Sequence, residues 1–299
     1  MKIAFVFSGQ GAQYLGMGQS LERFECCKRT FAEASEVLGF DINGLFGDEK
    51  RLAMTEFAQP AILAHSVACA RLCAERGITA DYAAGLSLGE YSALVYSGAI
   101  SFPDAVALVR KRGRFMTEAV PAGKGGMSAV LLAPDGAVER ACENAAGLGC
   151  VSVANYNAPG QTVISGELGA LEKAEKLALE YGAKKIVRLA VSGPFHTVLL
   201  APAAEKLRSE LEKLRLSPIS VPVFANTTAR PVSDENLIEN LTLQIQKPVR
   251  WDETVKNLSA AGVTRYIECG PGKTLCSFIK KIDKTAEVFS VDENPDFLL

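Results

Sequence analysis

The chain has 299 residues, 48% of them hydrophobic and 22% charged, with a formal net charge of −2. That length supports a sizeable core in one large domain or one and a half, and the near-neutral charge offers no electrostatic footprint for nucleic acid. Eight cysteines and two histidines stand in no zinc-type spacing, so no metal is expected and the thiols are expected to be reduced and mostly buried in a cytoplasmic protein. The N-terminal apolar run is too short for a signal peptide, and the longest uncharged stretch, residues 144–166, is rich in Asn, Gly and Pro; no membrane helix is expected.

Ile3 to Phe7 is a continuous apolar run with aromatic and β-branched members, which predicts a fully buried strand. It leads into Ser8-Gly9-Gln10-Gly11-Ala12-Gln13, a glycine-rich loop where open α/β sheets bind ligands, at the carboxyl end of a strand; a plain strand-to-helix connection is the alternative. Phe57 to Arg76 reads as a helix with Ala61, Ile62, Val67, Ala68 and Leu72 on its apolar side. His65, inside it, fits a hydrogen-bonded core histidine better than a catalytic one. Tyr82-Ala83-Ala84 is a short strand, Gly85-Leu86-Ser87-Leu88-Gly89-Glu90 follows, and Tyr91 to Tyr96 is helix-like. Strand, G-x-S-x-G turn and helix form the pattern of a nucleophile elbow. It would present the serine hydroxyl at a helix N-terminus, where free N–H groups and the helix dipole favour negative charge. A glycine-rich turn that happens to hold a serine is the competing view. Ser101 caps the next helix, with Pro103 and Asp104 in its first turn, and that helix carries Arg110-Lys111-Arg112-Gly113-Arg114.

From Gly125 the order becomes β-α-β-β-α-β. Strands are predicted over Met127–Leu132, Val151–Ala154, Thr162–Ser165 and Lys185–Ala190, and helices over Pro134–Ala146 and Leu168–Tyr181, with Asn155 to Gly160 as a loop. This is the ferredoxin-like pattern, and residues 124–191 suit a small inserted domain. Lys124-Gly125-Gly126 and Ser192-Gly193-Pro194 would be its hinges. Residues 1–123 and 192–299 then make one larger domain. Its second part has helices over Leu200–Leu214 and Glu235–Ile245 and from Trp251, and strands at Val221–Ala225 and Tyr266–Glu268, the last entering Cys269-Gly270-Pro271-Gly272-Lys273. The alternation predicts a largely parallel sheet flanked by helices.

An activated serine needs a base, and histidine is the usual one near neutral pH. Besides His65 there is only His196, in Gly193-Pro194-Phe195-His196-Thr197, a loop between the small domain's last strand and a new helix. It is the candidate base, against a solvent-exposed loop histidine. No acid on an obvious strand-end loop lies between Ser87 and His196, which argues against an ordinary Ser-His-Asp hydrolase triad.

Six segments occur in one order: Phe7 to Gln13, Gly85 to Glu90, Arg112-Gly113, Phe195-His196, Lys247-Pro248-Val249-Arg250-Trp251 and Gly270-Pro271-Gly272-Lys273. Together they resemble the malonyl-CoA:acyl-carrier-protein transacylase family over essentially the whole chain. The resemblance implies an α/β-hydrolase-like large domain interrupted by a ferredoxin-like small one. It implies Ser87 as nucleophile, His196 as base, Gln10 with the backbone N–H of Leu88 as oxyanion hole, and Arg112 as the group holding the malonyl carboxylate. Gln244, four residues before Pro248, would orient the histidine through a main-chain carbonyl, which would account for the missing acid. The implied substrates are malonyl-CoA and acyl carrier protein in fatty-acid synthesis, with no cofactor, and the protein is expected to be a monomer. Leu86 stands where the family often has histidine, and Ser8 where it often has proline.

Three other activities share parts of this pattern. A serine esterase or thioesterase predicts water as acceptor and needs no Arg112. An acyltransferase of a polyketide assembly line shares the chemistry. A catalytically dead scaffold that docks carrier proteins would form no acyl-enzyme. Lys184, Lys185, Arg188, Lys280 and Lys281 could meet acidic carrier helices or coenzyme A phosphates, although a solvated basic face is the plainer expectation.

Overall fold

Phe5 and Phe7 of the first strand face one side of a sheet, and Ala4 and Val6 face the other. Both sets are buried, so the strand is apolar throughout, as expected for a parallel sheet covered by helices on both sides. The computed structural model describes residues 1–121, 123–191 and 193–298; the expected hinge residue Ser192 lies outside the described residues. Among those residues the strands are β1 (Lys2–Phe7), β2 (Tyr82–Gly85), β3 (Gly125–Leu131), β4 (Val151–Ala158), β5 (Gln161–Glu167), β6 (Lys185–Arg188), β7 (Val223–Phe224), β8 (Val249–Arg250), β9 (Val263–Cys269) and β10 (Glu287–Ser290). No helix among the described residues is long and apolar enough to cross a membrane.

Two five-stranded sheets result, in a mixed α/β chain. The first has the order β10-β9-β1-β2-β7 and is parallel throughout. Helices Thr55–Glu75, Gly89–Tyr96 and Phe102–Ala119 cover the Phe5 and Phe7 side, while Trp251, Val255, Phe278 and Ile279 cover the Ala4 and Val6 side. The second has the order β6-β3-β5-β4-β8; its first three pairings are antiparallel and β8 joins β4 in parallel. On β3, Val130 packs with helices Ala137–Ala145 and Leu168–Glu180, whereas Met127 and Ala129 point the other way, toward the first sheet's core.

Several elements differ from their expected bounds. The predicted loop at Asn155 to Gly160 is mostly strand: β4 and β5 run to a two-residue turn at Pro159-Gly160, with Ala158 opposite Gln161. Asn, Pro and Gly together signal a loop, but Asn155 and Tyr156 also pair with β8, so tertiary pairing overrides local preference. The helix expected from Pro134 begins only at Ala137, after Gly136 in a left-handed conformation. β6 ends at Arg188 rather than Ala190. The Glu235–Ile245 helix is a 3-10 turn, Asp234–Asn236, followed by Leu237–Gln244. Helices Glu25–Leu38 and Thr274–Ile282 and the short strands β8 and β10 were not anticipated. All eight cysteines are free thiols; seven are buried and Cys150 is half-buried.

Candidate active site

The site forms where β1 and β2 end side by side, with Phe7 opposite Gly85. The chain leaves β2 through a turn so tight that a Cβ on Gly85 would overlap Gly89, and one on Gly89 would overlap the Phe7 carbonyl. Glycine is required at both positions for that close approach. Ser87, at the apex, has φ +53°, a left-handed conformation that a non-glycine residue holds only when its surroundings impose it. Asn226, just past β7, does so: its Oδ1 accepts the Ser87 N–H at 2.7 Å and its Nδ2 donates to the Gly85 carbonyl at 2.6 Å.

His196 reaches the same point from the opposite side. Its Nε2 lies 2.8 Å from Ser87 Oγ, and its Nδ1 lies 2.9 Å from the Gln244 carbonyl and 3.0 Å from that of Lys247. Two carbonyls can only accept, so Nδ1 carries the proton and Nε2 is left as acceptor for the serine hydroxyl. No carboxylate is needed to fix the tautomer. Burial, with the Arg112 charge nearby, pushes the His196 pKa down to about 4, against the opposing pull of the two carbonyls. The ring is therefore neutral near pH 7 and able to take a proton. His65 is elsewhere, fully buried, with Nε2 3.0 Å from Asp292 Oδ1 and Nδ1 3.6 Å from Cys69 Sγ; it is the core histidine the helix pattern suggests.

Arg112 is 1% exposed, unlike its neighbours in the basic run. Arg110 pairs with Glu56, Lys111 with Glu210 and Arg114 with Glu118, all on partly exposed side chains. The Arg112 guanidinium turns inward: Nη1 donates to Gln59 Oε1 at 2.9 Å, and Nη2 donates to Gln244 Oε1 at 3.1 Å and toward Ser87 Oγ at 3.4 Å. Its Nε has no acceptor among the described residues, and its Cζ stands 5.2 Å from the centre of the Tyr91 ring. Burial lowers its pKa from the ordinary guanidinium value, with Tyr91 and Glu90 opposing the shift. A buried guanidinium beside a serine–histidine pair can receive an anion, because entry of the anion neutralises a charge already out of water.

Gln10 lies on the loop after β1. Its side chain turns to the helices, with Nε2 donating to Thr55 Oγ1 at 3.1 Å and Oε1 accepting from Gln59 at 3.5 Å. Its main-chain N–H and that of Leu88 have no hydrogen-bond acceptor among the described residues. Ser8, where the expected family pattern has proline, donates through Oγ to buried Glu268 at 3.1 Å, and Glu268 in turn accepts the Leu275 and Cys276 N–H groups that open helix Thr274–Ile282. Leu86, the other departure, is half-buried: it packs against the core under the first sheet and lines the cleft beside Ser87.

A model of the acyl transferase domain matches residues 4–291. A malonyl CoA-acyl carrier protein transacylase from Bacillus subtilis is 46% identical over 297 residues, 98% of this chain and 94% of that protein. The chain belongs to the malonyl-CoA:acyl-carrier-protein transacylase family. Solved transacylases share its architecture: that of Coxiella burnetii superposes with a TM-score of 0.96 at 40% identity, covering 98% of this chain and 94% of the other. A malonyl-transacylase solved in complex with its type II PKS acyl-carrier protein gives 0.95 at 42% identity, covering 98% and 96%.

As in a transacylase that must admit a thioester, Ser87 opens onto a cleft between the two sheets, with a volume of about 480 Å³. The loops after β1 and β2 contribute Gln10 and Ser87, helix Phe102–Ala119 contributes Arg112, and the second sheet contributes Met127, Asn155 and Val163. Gln10, Ser87, Leu88, Arg112, His196 and Gln244, the six positions named from the sequence, thus lie in one region, with Gln244 behind the others. Asn226 and Gln59 were not foreseen. The signal for Asn226 is its place after a strand end in a parallel sheet; Gln59 has none, being one polar residue in a buried helix.

Proposed function

We propose that the protein transfers malonyl from malonyl-CoA to the phosphopantetheine thiol of acyl carrier protein through a malonyl-Ser87 intermediate. The observation that carries this is a buried guanidinium nitrogen 3.4 Å from the same hydroxyl oxygen that lies 2.8 Å from a neutral imidazole. The malonyl carboxylate pairs with the Arg112 fork and aims the thioester carbonyl at Ser87. His196 Nε2 takes the hydroxyl proton while Oγ attacks that carbonyl. The oxyanion is held by the main-chain N–H groups of Gln10 and Leu88, each such donor contributing about 3 kcal/mol. The C–S bond breaks, and the His196 proton goes to the coenzyme A sulfur. The carrier thiol then gives its proton to His196, attacks the serine ester and regenerates the Ser87 hydroxyl. The Gln244 and Lys247 carbonyls stabilise the imidazolium at each turn.

The strand order β6-β3-β5-β4, with two helices on one face, supports a ferredoxin-like unit at residues 124–191 inserted into an α/β-hydrolase-like unit at 1–123 and 192–299. β8 belongs to the larger unit in sequence and extends the smaller unit's sheet, so the two share a strand pairing at the cleft. A site built wholly from one chain is compatible with a monomer, and free thiols are compatible with the cytoplasm.

The test is the fate of the acyl group. Malonyl-loaded protein mixed with acyl carrier protein in its phosphopantetheine form should yield malonyl-carrier much faster than free malonate. Hydrolysis matching transfer would make the protein an esterase.

A further inference from the structure

The elbow motif ends on Glu90, a carboxylate with no part in the reaction above. Glu90 is fully buried, three residues after Ser87. Every partner presents an N–H: Oε1 accepts from Asn240 Nδ2 at 2.6 Å, and Oε2 accepts from the Asn226 main chain and from Gln244 Nε2, both at 2.9 Å. A neutral acid would need an acceptor for its own O–H, so this socket suits the ionised form. Burial raises the Glu90 pKa, and these N–H groups together with the Arg112 charge oppose the rise.

The Gln244 amide lies between the two buried charges. Its Nε2 faces Glu90 and also donates to the Ser87 carbonyl at 2.8 Å, while its Oε1 accepts from Arg112. Turned over, the amide would set N–H against guanidinium and oxygen against carboxylate, each like against like. The charges therefore hold it one way round. The main-chain carbonyl of the same residue accepts from His196 Nδ1. Gln244 thus touches the guanidinium, the elbow and the imidazole, and Glu90 decides which way its side chain points.

We infer that Glu90 is a positioning residue for carboxylate recognition: it orients the Arg112 fork through the Gln244 amide and is the buried counter-charge of that fork before substrate arrives. This rests on Arg112 being the malonyl-binding group. Glu90 itself touches no substrate. Glu90→Gln keeps the volume, removes the charge and brings an NH₂ into a shell made of donors, so the Gln244 amide loses its fixed orientation. The malonyl-to-acetyl ratio of Ser87 loading rates should fall by about tenfold or more, the scale of one hydrogen bond to a charged group. The loss should appear mainly in KM for malonyl-CoA.

The experiment is rapid-quench loading with malonyl-CoA and acetyl-CoA on the wild type, Glu90→Gln, Arg112→Ala and the double variant. The expected ratio falls in Glu90→Gln, falls further in Arg112→Ala, and is no lower in the double variant, where Glu90 has nothing left to orient. A ratio unchanged or raised in Glu90→Gln, with collapse in Arg112→Ala, overturns the inference and leaves the Arg112 assignment standing. A ratio unchanged in Arg112→Ala overturns both. If circular dichroism shows that Glu90→Gln does not fold, Gln244→Met cuts the same link with Glu90 in place, and an unchanged ratio there contradicts the inference.

Discussion

The Arg112 guanidinium approaches the Ser87 hydroxyl oxygen to 3.4 Å although the two residues are 25 apart in sequence, Ser87 at the turn after β2 and Arg112 within helix Phe102–Ala119. With Gln59 and Gln244 on its two terminal nitrogens, the fork is held before any substrate binds. In the proposed mechanism a charge kept in place this way selects an acyl-CoA with a free carboxylate.

Arg112→Ala should therefore cut malonyl loading by about 100-fold or more, the loss of a charge-assisted pair of hydrogen bonds. Acetyl loading of Ser87 should persist. Arg112→Lys should recover only part, because an ammonium cannot reproduce the fork, and Arg114→Ala should change little, its partner Glu118 being exposed. Initial loading rates with the two acyl-CoAs read this directly; equal losses for both substrates would return Arg112 to a structural role.

His196→Ala should slow transfer on the order of 10²–10⁴-fold, while His65→Ala should cost stability and leave the rate per folded molecule nearly intact. The rate is lost when His196 gains a proton, so the acid limb of acetyl loading should lie near pH 4 rather than 6.5. In Arg112→Ala the limb should move to higher pH, because the neighbouring charge that depresses the imidazole is gone. Acetyl-CoA is the right probe, having no acyl carboxylate to titrate in the same range. A limb that stays put in Arg112→Ala would show that the two groups are not electrostatically coupled.

The same shift predicts a stability change. The folded pKa of His196 lies below its ordinary value of 6.5, at about 4, so between those values the unfolded chain binds more protons. Stability from this residue is fully present above pH 6.5 and is lost as pH falls toward 4, by about 3 kcal/mol. Urea unfolding at pH 7 and pH 4 should show the wild type losing that much more than His196→Gln. Parallel losses in the two proteins would mean the imidazole is not desolvated as described.

The sequence made the elbow legible because its glycines are forced by close backbone approach, and such positions tolerate no substitute. It showed His196 by elimination, there being one other histidine. Arg112 was harder: its helix periodicity lies within a run of cations, and only the fold reveals that three of the four pair outward while one turns in. Asn226, Asn240 and Glu90 act through contacts 136 to 150 residues apart in the chain, which no local pattern encodes. The Asn155 to Gly160 segment misleads for a related reason, since its loop-forming composition is overridden by pairing with β5 and β8.

The central claim is a covalent malonyl group on Ser87. Intact-protein mass spectrometry after brief exposure to malonyl-CoA tests it most directly. The wild type should gain the mass of one malonyl group and lose it on addition of a pantetheine thiol, and Ser87→Ala, folded, should gain nothing. An adduct that persists in Ser87→Ala, or a wild type that turns over malonyl-CoA with no adduct at any time, would contradict the account.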